Sequence, residues 1–214
     1  MLTTSMMKIE SIAAQLDRVG RHLVKFSDGS TMRLYRQTVE DFCLYTGMEL
    51  DESKMQDLCQ AADKMSARMR AVRILSVTNV SKDDLEQRLI HKGENPFYAR
   101  EAVAWMCDLN LLDDRVTAEQ IVQKCIQKGY GKSRAKQALF EKRIPKDLWQ
   151  DALANYPDLT EKIVDFIRTK VSDFQDERQV RRTMDALIRR GHSYSEIRSA
   201  MEQVSLDIDE FPEG

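Results

Sequence analysis

Three stretches of this chain repeat one another without gaps. Gln87-Arg88-Leu89-Ile90 becomes Gln137-Ala138-Leu139-Phe140 and then Asp185-Ala186-Leu187-Ile188, at offsets of 50 and 48 residues. Further on, Ala99-Arg100-Glu101-Ala102-Val103 becomes Trp149-Gln150-Asp151-Ala152-Leu153 and then Ile197-Arg198-Ser199-Ala200-Met201. Self-similarity at this period means that one supersecondary unit recurs, each copy burying its apolar face against its neighbours. The apolar positions inside each copy fall at helical spacing, so the unit is built of helices.

The chain order follows from this period. Residues 51–112, 113–156 and 157–206 each read as a three-helix unit. Ser81-Lys82-Asp83-Asp84, Asp158-Leu159-Thr160-Glu161 and Ser193-Tyr194-Ser195-Glu196 carry capping-box signals. Asn95-Pro96 marks a helix start, because proline fits the first helical position. Asp113 and Asp114 read as a cap rather than a metal site. Met55, Leu58, Met65, Met69, Val72 and Leu75 predict a long helix from Asp51 to about Ser76. Pro145 stands where the other copies have Asn95 and Ser193, which shifts that helix start by a residue or so. Residues 1–50 differ: Lys8–Ile12, His22–Phe26 and Thr31–Tyr35 are β-rich or alternating, with Asp28-Gly29 as a hairpin turn. They predict a head of two or three strands followed by a short helix over about Gln37–Tyr45. Residues 207–214 are acidic and predict a frayed tail. The expected fold is mainly α: three tandem three-helix repeats in an extended curved array, behind a small β-containing head.

Charge narrows the function classes. Net charge is −2, so bulk charge selects no polyanion. Its distribution is uneven. Residues 1–63 carry seven basic and ten acidic side chains, 64–150 carry 17 and 11, and 151–214 carry nine and 14. Between Ile121 and Lys146 eight cations face one acid, Glu141. Lys124, Lys128, Lys132, Arg134, Lys136, Lys142 and Arg143 are the candidate contacts to phosphates or to an acidic protein groove, with Arg88 and Lys92 extending them into the first copy. Backbone amides around Gly129 and Gly131 are also placed to face an anion. The competing reading is a solvated helix face whose long side chains drape over the core. Arg134 and Lys136 stand where the first copy has Asp84 and Glu86 and the third has Arg182 and Met184, so of the two Lys136 is particular to the second copy.

Other chemistries find little support. His22, His91 and His192 are far apart, and His192 is expected to cap a helix or face solvent. Gly129-x-Gly131 lacks the preceding strand and the Lys-Ser/Thr of a phosphate-binding loop. Trp149 sits at core spacing, so no base-stacking platform is expected. The four cysteines have no Cys-x-x-Cys spacing and read as reduced, mostly buried thiols. Met1–Met7 has neither the basic start nor the apolar core of a secretory signal. No apolar run nears the roughly 20 residues of a membrane span. The expectation is a cytoplasmic monomer with no enzyme activity, no cofactor, no metal and no membrane partner.

Leu109-Asn110-Leu111-Leu112-Asp113-Asp114, Gly129-Tyr130-Gly131-Lys132-Ser133-Arg134, Ile144-Pro145 and Leu187-Ile188-Arg189-Arg190-Gly191-His192-Ser193 together resemble the RecX family over about residues 64–204. The resemblance implies tandem three-helix repeats. It also implies a regulator that binds the RecA recombinase filament, or its single- or double-stranded DNA, and modulates ATP hydrolysis and strand exchange, with inhibition the expected direction. Two other classes stay open on the residues themselves: a general DNA-binding helical module, and a helical adaptor for another protein.

Overall fold

A computed structural model describes residues 6–210, with side chains described through residue 205. The fold is mainly α with a small N-terminal β head, and the chain divides into two units, residues 1–112 and 113–214.

The first unit holds the head and the first repeat. Strands β1 (Met7–Ile12), β2 (Arg21–Phe26), β3 (Thr31–Tyr35) and β4 (Glu49–Leu50) form one antiparallel sheet in the order β3-β2-β1-β4. The two-residue β4 is one strand more than the sequence reading anticipates; Met7 pairs with Leu50. The Asp28-Gly29 turn forms, with Gly29 at φ +85° and Asp28 Oδ1 accepting from Ser30 N at 2.8 Å. Helix α1 (Arg36–Asp41) is shorter than expected, because Cys43 takes a left-handed φ of 47° just beyond it.

Helix α2 (Glu52–Leu75) serves two cores. Its first half supplies Leu58 to the head, beside Ile9, Val24, Phe26, Leu34 and Leu50. Its second half supplies Ala67, Ala71 and Ile74 to the repeat core, with Leu85 and Leu89 of α3 (Lys82–His91) and Ala99, Ala102 and Met106 of α4 (Pro96–Asp108). An isolated small hairpin sheet is marginal in water. The shared helix gives this one a covalently continuous partner, so head and first repeat are a single body.

The second unit holds two repeats. In the first of them, α5 (Asp114–Gln127) and α6 (Lys132–Glu141) are followed by a 3-10 turn, Lys146–Leu148, and a four-residue helix α7 (Trp149–Ala152). The sequence period predicts a full third helix here. Pro145 offers no side-chain cap, where Asn95 of the other copy accepts from Phe97 N at 2.8 Å, and Tyr156-Pro157 ends the run early. Trp149 packs in this core and donates Nε1–H to Ile144 O at 3.0 Å. The last repeat has α8 (Thr160–Lys170), α9 (Glu177–Arg189) and α10 (Tyr194–Glu210), around Ile163, Ile167, Leu187, Ile197 and Ala200. At α8 the capping box does not close: Leu159 is the N-cap, and Asp158 Oδ1 instead accepts from Thr160 N at 2.9 Å. At α10 it does close, with Ser193 N donating to Glu196 Oε2 at 2.7 Å and Glu196 N donating to Ser193 Oγ at 3.2 Å. Helix α10 stays helical through Glu210, across residues read from sequence as tail, and residues 211–214 lie outside the described residues.

All four cysteines are free; Cys125 is buried, Cys59 and Cys107 half-buried, and Cys43 exposed, against the expectation of mostly buried thiols. Among the described residues no helix is long and apolar enough to cross a membrane.

Candidate nucleic-acid interface

The candidate cations separate into two groups. Lys124, Lys128, Lys132 and Lys136 are exposed, and among the described residues no carboxylate lies within ion-pair distance of them. Lys124 and Lys128 are four residues apart at the end of α5, so they share one face; Lys132 and Lys136 do the same on α6. That α6 edge continues to Phe140, which is 67% exposed. Ala135 and Leu139, on the adjoining face of the helix, are completely buried. The lysines therefore flank the buried stripe and stay exposed beside it.

The remaining predicted cations are held differently. Arg134 is half-buried and paired with Glu141, Nη1 to Oε1 at 3.0 Å. Arg88 is paired with Asp84 at 3.0 Å on its own helix. Lys142 is half-buried. Arg143 is exposed at φ +55°, in the left-handed region, where the other two copies have Gly93 (φ +89°) and Gly191 (φ +86°). A non-glycine residue there costs roughly 1–2 kcal/mol, so the second copy carries a cation where the backbone prefers none. Lys92 is exposed in the first unit. Burial pushes the Cys125 thiol above its ordinary pKa despite the pull of Arg134 and Lys128.

Two expectations are overturned at the joint between α5 and α6. Its backbone amides do not face solvent or an anion. Gly131 N donates to Arg190 O at 2.9 Å, and Ser133 N to Gly191 O at 3.3 Å. A Cβ on Gly131 would sit 2.1 Å from Gly191 O. The Gly-Tyr-Gly joint therefore exists to let two turns of successive repeats touch backbone to backbone. His192 is likewise neither a cap nor exposed: it is buried and its Nε2 lies 3.0 Å from Gly129 O, across the same contact. Arg190 completes the contact from above, its guanidinium 4.6 Å from the Phe166 ring centroid and 5.8 Å from that of Tyr130.

The third copy also carries a cationic helix. Between Arg178 and Arg190, α9 and its cap carry Arg178, Arg181, Arg182, Arg189 and Arg190 against one acid, Asp185. All but Arg190 are exposed. The acids at 151–177 and 196–213 cancel them in a sum over residues 151–214. A sliding window of about a dozen residues finds them. Lys170, Arg178 and Arg182 line a cleft of about 480 Å³ beside Phe166. Among the described residues no three His, Cys, Asp or Glu side chains come together to hold a metal ion.

The molecule is thus a helical-repeat protein that presents unpaired cations on the outer edges of its second and third copies. Comparisons agree on which one. Residues 113–153 match the family model described as RecX, second three-helix domain. A regulatory protein RecX from Vibrio parahaemolyticus is 27% identical over 143 residues, covering 65% of this chain and 92% of the relative. One from Clostridium perfringens is 23% identical over 180 residues, covering 78% and 82%. In fold, the chain resembles the crystal structure of a regulatory protein RecX with a TM-score of 0.62 at 22% identity, covering 92% of this chain and 99% of that one. The crystal structure of RecX from Lactobacillus salivarius superposes with a TM-score of 0.60 over 68% of this chain. Residues 113–153 thus match a RecX domain, and the chain is similar to RecX proteins over most of its length.

Proposed function

We propose that this protein regulates the RecA recombinase, binding the recombinase filament or its DNA through the exposed cations of α5, α6 and α9 and lowering its ATPase and strand-exchange activity. The observation that carries the reading is the row of exposed, unpaired lysines on α5 and α6, flanking the buried stripe of Ala135 and Leu139. Unpaired surface cations favour phosphate contacts and release of condensed counterions. Repeat copies with a shared skeleton and different outer faces suit an extended partner such as a filament. The protein acts as a monomer and needs no cofactor, because binding alone shifts the partner's equilibrium.

The test is the rate of ATP hydrolysis by RecA on single-stranded DNA, with and without this protein. A fall in rate that is lost on Lys132→Glu/Lys136→Glu supports the reading. An unchanged rate at several-fold excess over filament overturns it. DNA binding with no effect on the recombinase would favour a general DNA-binding module.

A further inference from the structure

The first unit carries a basic cleft that none of the second unit's features explain. Arg21 of β2, Arg70 and Arg73 of α2, and Lys92 after α3 line it, with Val19 and Ile74 as apolar wall, and its volume is about 430 Å³. Head and first repeat both contribute, and α2 joins them in one body.

Its guanidinium groups are fixed in place by other bonds. Arg73 donates Nη2–H to the Tyr35 hydroxyl at 2.9 Å and Nε–H to Met69 O at 3.2 Å. Arg70 donates Nη1–H to Lys92 O at 2.9 Å, and its Nε lies 2.6 Å from Glu94 Oε1, an ion-pair contact too bent for a hydrogen bond. Glu94 is itself buried and accepts from Ser66 Oγ at 3.0 Å. Arg21 is held by Asp17, Nη2 to Oδ2 at 2.8 Å and Nε to Oδ2 at 2.8 Å. A guanidinium has five N–H donors, and each of these three keeps at least one of its Nη groups outside the bonds named. Four cations against Asp17 and Glu94 leave two charges uncompensated.

We infer that this cleft binds a phosphodiester of single-stranded nucleic acid, so that the β head is a second nucleic-acid contact rather than a passive cap. Preformed guanidinium forks suit the planar, two-oxygen face of a phosphate, and preorganisation removes the ordering cost of binding. The volume lies within the roughly 300–1,000 Å³ range of small-ligand pockets. It therefore takes one phosphorylated residue of a strand, not a protein helix. Arg73 and Lys92 are the residues with charge to spare, and the paired Arg21 and Arg70 shape the walls. The inference concerns DNA affinity and does not depend on recombinase regulation.

The experiment uses the full chain and a fluorescein-labelled oligo-dT in anisotropy titrations over a range of salt. Each phosphate contact on a single strand contributes about 0.7 to the log–log salt slope. Lys92→Glu is expected to weaken binding several-fold and to reduce the slope by about 0.7; Arg73→Gln/Lys92→Gln should reduce it by about 1.4. A thermal melt accompanies each variant, and exposed Lys92 tests the idea even if Arg73 variants unfold. Unchanged affinity and slope for folded Lys92→Glu overturn the inference. So does competition of oligo-dT by inorganic phosphate or a nucleoside diphosphate as effectively as by unlabelled oligo-dT, which would make this a free-phosphate site. RecA ATPase measured on the same variants separates the two readings. Weakened oligo-dT binding with ATPase modulation intact leaves both standing, and failure of ATPase modulation in the unaltered protein sinks only the regulatory one.

Discussion

Helices α3 and α6 occupy the same place in successive repeats, 50 residues apart, and keep the same buried positions while their outer faces differ in charge. Leu85 and Leu89 of α3 and Ala135 and Leu139 of α6 are all completely buried. On the outer face, Asp84 and Glu86 become Arg134 and Lys136. The acids of α3 are matched internally, Asp84 by Arg88 at 3.0 Å and Glu86 by Arg100 at 3.6 Å. On α6 the alignment replaces Arg88 by Ala138, and Lys136 is left without a partner. One skeleton thus supports a self-neutralised face in one copy and an uncompensated basic face in the other. Packing and surface charge occupy different positions of the repeat.

That separation is open to attack. The largest effect should come from the shared skeleton: Leu89→Ala and Leu139→Ala should each lose about 2–5 kcal/mol in urea unfolding, by similar amounts. A trivial loss at either site would mean the two helices are not packed alike. Next comes the N-cap, which is Ser81 in α3 and Gly131 in α6. Ser81 Oγ accepts from Asp84 N at 3.1 Å, so Ser81→Ala should cost about 1 kcal/mol. Gly131→Ala should cost about 1–3 kcal/mol, because the new methyl meets Gly191 O, and it should loosen the last repeat, read as faster amide exchange in α9 and α10.

A smaller contrast is confined to alkaline pH. Where the first copy has buried Met106, the second has Tyr156, whose hydroxyl donates to Tyr130 O. Burial, with Cys125 adding to it, pushes the Tyr156 hydroxyl up to about 12 from an ordinary value of 10.0. The folded state thus holds the proton more tightly than the unfolded chain. Its contribution is full below pH 10 and is lost as pH rises towards 12. Tyr156→Phe should flatten the denaturation midpoint over that window relative to the unaltered protein; an identical pH profile would show that the hydroxyl is solvated. The smallest effect on stability belongs to the outer face. Lys136→Glu, which copies Glu86, should move stability by no more than about 0.5 kcal/mol yet reduce the single-strand salt slope by about 0.7.

Much of this fold is legible in the chain because burial recurs locally. Leu89, Leu139 and Leu187 stand out at the repeat period, and all three are buried. The Ser81 and Ser193 caps depend on residues three positions away, so short sequence windows reveal them. The outward lysines of α5 and α6 are readable for the same reason. The arginines of α9 do not show in the net charge of the third copy, because acids on either side cancel them. The pairing of Arg134 with Glu141 and of Arg88 with Asp84 is a geometric matter that residue type alone does not disclose.

The Gly129-Tyr130-Gly131 joint marks the boundary between the two sources of information. The sequence by itself determined that a helix ends there and another begins, since glycine and helical spacing act over a few residues. Only the tertiary structure decided why the glycines are needed. Gly131 meets Gly191 and His192 reaches Gly129, contacts spanning some 60 positions of chain. The position of His192 in the third copy is filled by Ile144 in the second and Glu94 in the first, all three buried. An apolar side chain, a carboxylate paired with Arg70 and an imidazole bonded to a distant carbonyl all satisfy that one place. Burial at the position is set by the local helical period, whereas the chemistry that makes each polar residue tolerable there depends on partners that only folding brings within reach.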